Sequence, residues 1–229
     1  IKDTNINLHA GTVYHFSKDY FDQALDYLFV DEAGQVSLAN LIAMGRSAKN
    51  IILIGDQMQL SQPIKAVHPG EAGKSALDYL LQGRDTIPSD RGIFIDITRR
   101  LHPNLNSFVS PNFYDDRLKC HDIAQKREIL FPSKDKIFKN PGLYYLPITH
   151  TDCSQQSDEE GKVVEKLYKK FQQAKLKDEK GDTKTMSIED ILTVSPYNVQ
   201  VNYLRSILPK NSRVGTIDKF QGQEAPIVI

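Results

Sequence analysis

The chain has 229 residues, 40% hydrophobic and 25% charged. That mixture can bury a core, and no apolar run approaches the roughly 20 residues that span a bilayer. Basic and acidic residues balance at 29 each, but residues 1–93 hold 8 against 11 and residues 94–229 hold 21 against 18. So mild a polarity argues against a protein that coats duplexes by charge alone, though not against contacts through backbone amides and hydroxyls. Cys120 and Cys153 fall in no metal-ligand spacing and are too few for a disulfide framework, so a reducing, cytoplasmic setting is expected. The sequence opens on Ile1 rather than Met, without a signal peptide, and closes in APIVI, inside a strand-like run. A piece of a longer protein is expected.

In chain order, short β-rich runs alternate with helical patterns, which predicts an α/β architecture of parallel sheets with helices on both faces. Strands are expected at 27–30, 51–54, 93–97, 143–148, 191–195, 214–217 and 227–229. Several are continuous apolar runs, as strands buried on both faces should be. LLQGRDTIPSDRG (80–92) gathers Gly, Pro, Ser and Asp and divides the chain into domains 1–88 and 89–229. Phe108, Phe113 and Tyr114 have helical spacing and are read as core rather than as base-stacking platforms. The clearest helix begins at Ser157. Ser157 and Glu160 have capping-box spacing, and Val164, Leu167, Tyr168, Phe171 and Ala174 follow at helical period. DEKGDTKT (178–185) reads as an exposed, mobile loop, and a second helix over 199–208 stops at Pro209.

The chemistry starts from LFVDEAGQVS (28–37). Ligands of doubly wound sheets sit beyond the carboxyl ends of the strands, where Asp31 follows its strand directly. About twenty residues on the pattern recurs: NIILIGD ends a second strand with Gly55 and Asp56. Acids at the same edge of two consecutive strands suggest a phosphate and metal site. Mg²⁺ prefers carboxylate and water oxygens, and a neighbouring carboxylate can orient an attacking water. A lone Asp-Glu pair is more often a solvated turn, so its companions decide.

Those companions stand in order. DEAGQ (31–35) resembles motif II, the Walker B box, of superfamily 1 helicases, and GDQMQLSQP (55–63) resembles their motif III. ITRRLHPNLNSFVSPNFY (97–114) resembles the block that opens the second motor domain. SPYNVQVNYLR (195–205) resembles a Thr-Pro-Tyr-x-x-Gln segment, and VGTIDKFQGQEAPIVI (214–229) resembles motif V. The branch is superfamily 1B, the Dna2/Upf-like group. The text around DEAGQ and HPGEAGKSALDYLL is also similar to bacterial proteins that fuse a RecB-like nuclease to such a helicase. The resemblance implies tandem RecA-like parallel-sheet domains, the first one partial, in a P-loop NTPase. It implies ATP and Mg²⁺ as cofactors and 5′-to-3′ movement on single-stranded nucleic acid, DNA ranked ahead of RNA.

Residue by residue, the resemblance makes Asp31 a holder of Mg²⁺ and Glu32 the base or orienter for the water that attacks the γ-phosphate. Gln59 takes the γ-phosphate-sensing position, with Gly55 and Asp56 in the same nucleotide-facing loop. Arg100 stands at the arginine-finger position, preferred over Arg99 because it keeps the Arg-x-His-Pro spacing, with His102 and Pro103 shaping the turn. Gly222 and Glu224 match motif V, which contacts the γ-phosphate region and the ribose, while Gln223 replaces a basic residue of many relatives. Thr12 in HAGTV, Ser195 and Thr216 are implied to touch the nucleic-acid backbone. The family's Gly-rich phosphate loop has no match: Gly73–Lys74–Ser75 has His68 where the first glycine is required. An Arg-rich motif VI is not found either. The remainder of a parent chain carrying both is therefore the expected partner, and the isolated fragment is expected to be inactive. The alternative is a non-catalytic helicase-like module that grips nucleic acid or a partner; a nuclease built on Asp31, Glu32 and Asp56 fits the Gly/Gln context less well.

Overall fold

The computed structural model describes residues 6–60, 68–132 and 137–229, which divide into two compact units, one ending at Phe94 and one beginning at Ile95. Residues 61–63 of the motif III stretch lie outside the described residues. The first unit runs α1 (Val13–Phe16), β1 (Leu25–Val30), α2 (Leu38–Gly45), β2 (Ala48–Leu53) and α3 (Ala76–Leu81). β1 and β2 pair in parallel, with Val30 opposite Leu53, and α2 is the crossover that parallel pairing demands. Ser37 and Ser75 start α2 and α3 in the same way, each hydroxyl accepting the N–H three residues on. The rejected Gly73–Lys74–Ser75 is thus a helix start, and Lys74 Nζ donates to Glu71 Oε1 at 2.5 Å.

Leu28 and Val30 face a core shared with Phe21, Met44, Leu77 and Leu81. The other face is open. Tyr27 and Phe29 are 58% and 61% exposed, so the expected burial on both faces fails here, because α2 and α3 pack against the Leu28–Val30 side. Beyond the strands the pairing continues: Ile54 N–H donates to Val30 O at 2.8 Å, and Ala33 N–H to Ile54 O at 2.9 Å. The two strand-end loops then meet backbone to backbone. A Cβ on Gly55 would stand 2.7 Å from Ala33 N, and one on Gly34 would strike the Asp56 carbonyl. Only glycine permits that approach.

The second unit contains β3 (Ile97–Thr98), α4 (Pro103–Phe113), β4 (Lys119–Cys120), β5 (Glu128–Leu130), α5 (Asp158–Gln172), β6 (Lys175–Lys177), β7 (Thr183–Thr185), β8 (Ile191–Val194), α6 (Asn198–Ile207), β9 (Arg213–Gly215), α7 (Ile217–Phe220) and β10 (Ile227–Val228). Its main sheet is parallel, in the order β10-β8-β9, and Ile191, Leu192 and Thr193 of β8 are buried on both faces. Tyr168 and Phe171 of α5 and Val201 and Leu204 of α6 pack on it. β3 pairs with β4 in parallel.

Several expectations need correction. The segment 143–148 forms no strand; Pro147 has no N–H to give a ladder. Only Ile97 of 93–97 is in a strand. The sequence 178–185 is not merely a loop: Thr183–Thr185 closes a hairpin onto β6, which also pairs with β5 in an antiparallel sheet. Its turn is fastened by Asp178 Oδ1, which accepts from Lys180 N–H at 2.9 Å and Asp182 N–H at 3.0 Å. Phe108 and Phe113 are exposed rather than core. Polar Asn106 and Ser110 turn inward on α4 instead, because Leu118 needs partners: Asn106 Nδ2 donates to its carbonyl at 2.7 Å, and Ser110 Oγ accepts its N–H at 3.0 Å.

The N-terminus of α5 is built as half a capping box. Ser157 Oγ accepts Glu160 N–H at 3.1 Å, but the return bond comes from α6: Gln200 Oε1 accepts Ser157 N–H at 2.9 Å, and its Nε2 donates to Ser157 O at 3.2 Å. Gln200 is 5% exposed, so no water can stand in for it easily. Gln200→Leu should cost about 1–3 kcal/mol by stranding the buried Ser157 N–H, since Ser157 O keeps the Gly161 N–H at 3.1 Å, read as a lower urea midpoint with unchanged slope. Gly55→Ala should cost about 1–3 kcal/mol through overpacking at the loop contact, visible as a lower melting temperature. Asp190 supplies a pH dependence. Burial alone would raise its carboxyl, but the bonds from Lys184 and Ser187 outweigh that and hold it below the usual aspartate value. A lowered native value contributes stability above the unfolded value, about pH 4, and loses it as pH falls through the native one. The urea midpoint of Asp190→Asn should therefore fall less steeply on acidification than that of the parent chain.

Candidate phosphate-sensing site

In the first unit Asp31 leaves β1 and Glu32 follows in a left-handed conformation, φ +51°, unusual for a residue with a side chain. Asp31 Oδ1 accepts Glu32 N–H at 3.0 Å, and Gln35 Nε2 reaches Glu32 Oε2 at 3.4 Å. Both carboxylates are exposed. The Gly55 loop lies against them, and there Asp56 Oδ1 accepts Met58 N–H at 3.0 Å while its Oδ2 accepts Gln59 Nε2 at 3.2 Å. Asp31, Glu32, Gly55, Asp56 and Gln59 are thus gathered at one edge of the β1–β2 pair. Gln35 was missed from the sequence, although its spacing of three from Glu32 in DEAGQ was the available signal. Thr12 lies elsewhere in this unit, exposed, as the residue that opens α1; its side chain makes no capping bond.

In the second unit the RRLHP turn is set by two short side chains. Thr98 Oγ1 accepts the N–H groups of Arg100 (3.2 Å) and Leu101 (3.3 Å), and His102 Nδ1 accepts Asn104 N–H at 3.2 Å at the start of α4. Pro103 fits the first helical position, where no N–H is needed. Gly222 has φ +74°, and Glu224 follows, its Oε2 2.9 Å from Arg100 Nε. Thr216 opens α7, half-buried, whereas Ser195 is buried and its N–H donates to Gly215 O at 3.1 Å. Gln223 does not leave a gap where a basic residue would stand. Its Oε1 accepts from Arg213 Nη2 at 2.7 Å, and its Nε2 donates to Lys219 O at 3.1 Å.

Chemically, the first unit offers a carboxylate pair with an adjacent, hydrogen-bonded amide, and the second an arginine beside a turn of exposed backbone. Among the described residues no three His, Cys, Asp or Glu side chains converge as a metal cage. Mg²⁺ is usually held by one or two carboxylates together with waters and substrate phosphates, so the exposed Asp31 fits that mode. No helix among the described residues is long and apolar enough to cross a membrane.

Known proteins resemble the chain over most of its length. A protein family described as an AAA domain (AAA_12) matches residues 74–229. The DNA polymerase alpha-associated DNA helicase A of Schizosaccharomyces pombe is 24% identical over 93% of the chain and 33% of its own length. Helicase SEN1 of Saccharomyces cerevisiae is 26% identical over 89% of the chain and 9% of its own length. The regulator of nonsense transcripts 1 homolog of Drosophila melanogaster is 25% identical over 88% and 17%. The chain spans a third or less of each of these relatives. With the family match covering more than half of its residues, the chain belongs to the AAA domain family of superfamily 1B, Dna2/Upf-like helicases.

Proposed function

We propose that the chain carries the phosphate-sensing and water-activating residues of a motor that couples ATP hydrolysis to 5′-to-3′ movement on single-stranded nucleic acid. The unit ending at Phe94 would be the later part of its first RecA-like domain and the unit from Ile95 most of the second. The observation that carries the reading is the gathering of Asp31, Glu32, Asp56 and Gln59 at the ends of two parallel strands joined by glycine contacts. A divalent cation bound through Asp31 would neutralise charge on the phosphate oxygens. Glu32 orients the attacking water and accepts its proton, positioned by its left-handed backbone and the Gln35 amide. Gln59, which donates to Asp56, can exchange that partner for a phosphate oxygen without carrying a charge of its own. Arg100 meets the negative charge that develops on the transferred phosphoryl group. Thr12 and Thr216 are the proposed contacts to the nucleic-acid backbone; the expected Ser195 contact is not among them, since its side chain is buried and its N–H is engaged with Gly215 O at 3.1 Å.

DNA is proposed ahead of RNA as the track, a reading supported by one relative that is a DNA helicase by its printed name, while another is a regulator of nonsense transcripts. No Gly-x-x-x-x-Gly-Lys-Ser/Thr occurs in the 229 residues, so the chain by itself is proposed not to turn over ATP. In the full-length protein, Glu32→Gln should lower nucleic-acid-stimulated ATPase by about 10²-fold or more. Binding of fluorescent single-stranded oligonucleotides should be unchanged, and parallel DNA and RNA oligomers would name the track. Unchanged turnover would refute Glu32 as the catalytic carboxylate, and a full-length protein with no turnover at all would favour the non-catalytic binding module.

A further inference from the structure

Motif V resemblance gives Glu224 a contact with nucleotide; in the structure its partner is Arg100. Glu224 Oε2 lies 2.9 Å from Nε of Arg100, and no other carboxylate pairs with Arg100 among the described residues. The contact is an ion pair at Nε, and a guanidinium carries further donors on its terminal nitrogens that match two phosphate oxygens. Both ends of the contact are braced from outside. On one side Thr98 Oγ1 ties down the backbone of Arg100 and Leu101. On the other, Arg213 bridges Glu189 O at 2.7 Å and the Gln223 side chain at 2.7 Å, and Gln223 N–H closes the turn onto Phe220 O at 2.9 Å. Glu224 therefore leaves a turn whose preceding residue is anchored at both its side chain and its backbone.

The pair is also wet: the side chains are 75% and 68% exposed, so it contributes little as a strut for the fold. Its value lies in direction. We propose that Glu224 is a positioning residue for Arg100, steering the guanidinium by Nε so that its terminal nitrogens face the phosphoryl group. This rests on the arginine-finger reading of Arg100. An unguided arginine of this exposure would sample many rotamers, and the loss of orientation would appear in the chemical step rather than in nucleotide affinity.

The test uses ATPase kinetics of the full-length protein together with spectroscopy of the 229-residue chain. Arg100→Ala should lower kcat by about 10³-fold. Glu224→Gln should lower kcat by about 10²-fold with an unchanged KM for ATP, Glu224→Asp should recover part of the loss, and the double variant should be no worse than Arg100→Ala. A Glu224→Gln effect confined to KM, or one additive with Arg100→Ala, would overturn the proposal. In the 229-residue chain, the ¹⁵N-detected Nε–Hε signal of Arg100, assigned with Arg100→Lys, should shift and exchange faster in Glu224→Gln. A signal indifferent to Glu224→Gln overturns the pairing itself. Normal kcat in Arg100→Ala alongside a responsive signal would instead sink the arginine-finger reading while leaving the contact established.

Discussion

The acidic edge of the first unit depends on how closely two backbones can approach. Val30 O, Ile54 N–H and O, and Ala33 N–H extend the β1–β2 pairing past the strands, and Gly34 and Gly55 let the loops touch where the ladder ends. Without that contact, Asp31 and Glu32 would sit on one free loop and Asp56 and Gln59 on another. With it, four polar groups share one place, and their separation is set by peptide geometry rather than by long side chains. Core residues such as Leu28 and Met44 fix the strand and crossover below, so packing beneath the sheet transmits directly to the loops above.

The second unit solves a similar problem with side chains. Gln200 joins the starts of α5 and α6 by gripping both polar groups of Ser157, while Gln223 joins β9 to the turn after α7. Amides suit these joints because each carries a donor and an acceptor and no charge, so each can be satisfied in a buried or crowded place. Two glutamines inside motif-like stretches thus act as fasteners of the scaffold.

Periodicity and strand-end chemistry made much of this legible in advance. Continuous apolar runs announced β1, β2, β8 and β10, and the Ser157 cap announced α5, because these elements follow local rules. What escaped was decided by distant partners. β5, β6 and β7 are three residues each, and β6 and β7 are mostly lysine and threonine; they exist as strands only by pairing with one another. The inward face of α4 was misjudged because Leu118 backbone groups, not apolar surface, chose its occupants. At the site, DEAGQ and GDQMQ showed which residues belong together, but the Arg100–Glu224 contact joins positions 124 residues apart, beyond the reach of spacing.

One backbone angle has a wider consequence. Glu32 holds a left-handed conformation that costs an ordinary residue about 1 kcal/mol and glycine nothing. At this position the most comfortable residue for the fold is one with no side chain at all. Pressure for stability alone would therefore tend to erase the carboxylate, and designs that optimise thermal tolerance would choose against it. On the role proposed for Glu32, folding and chemistry ask for different residues at this position.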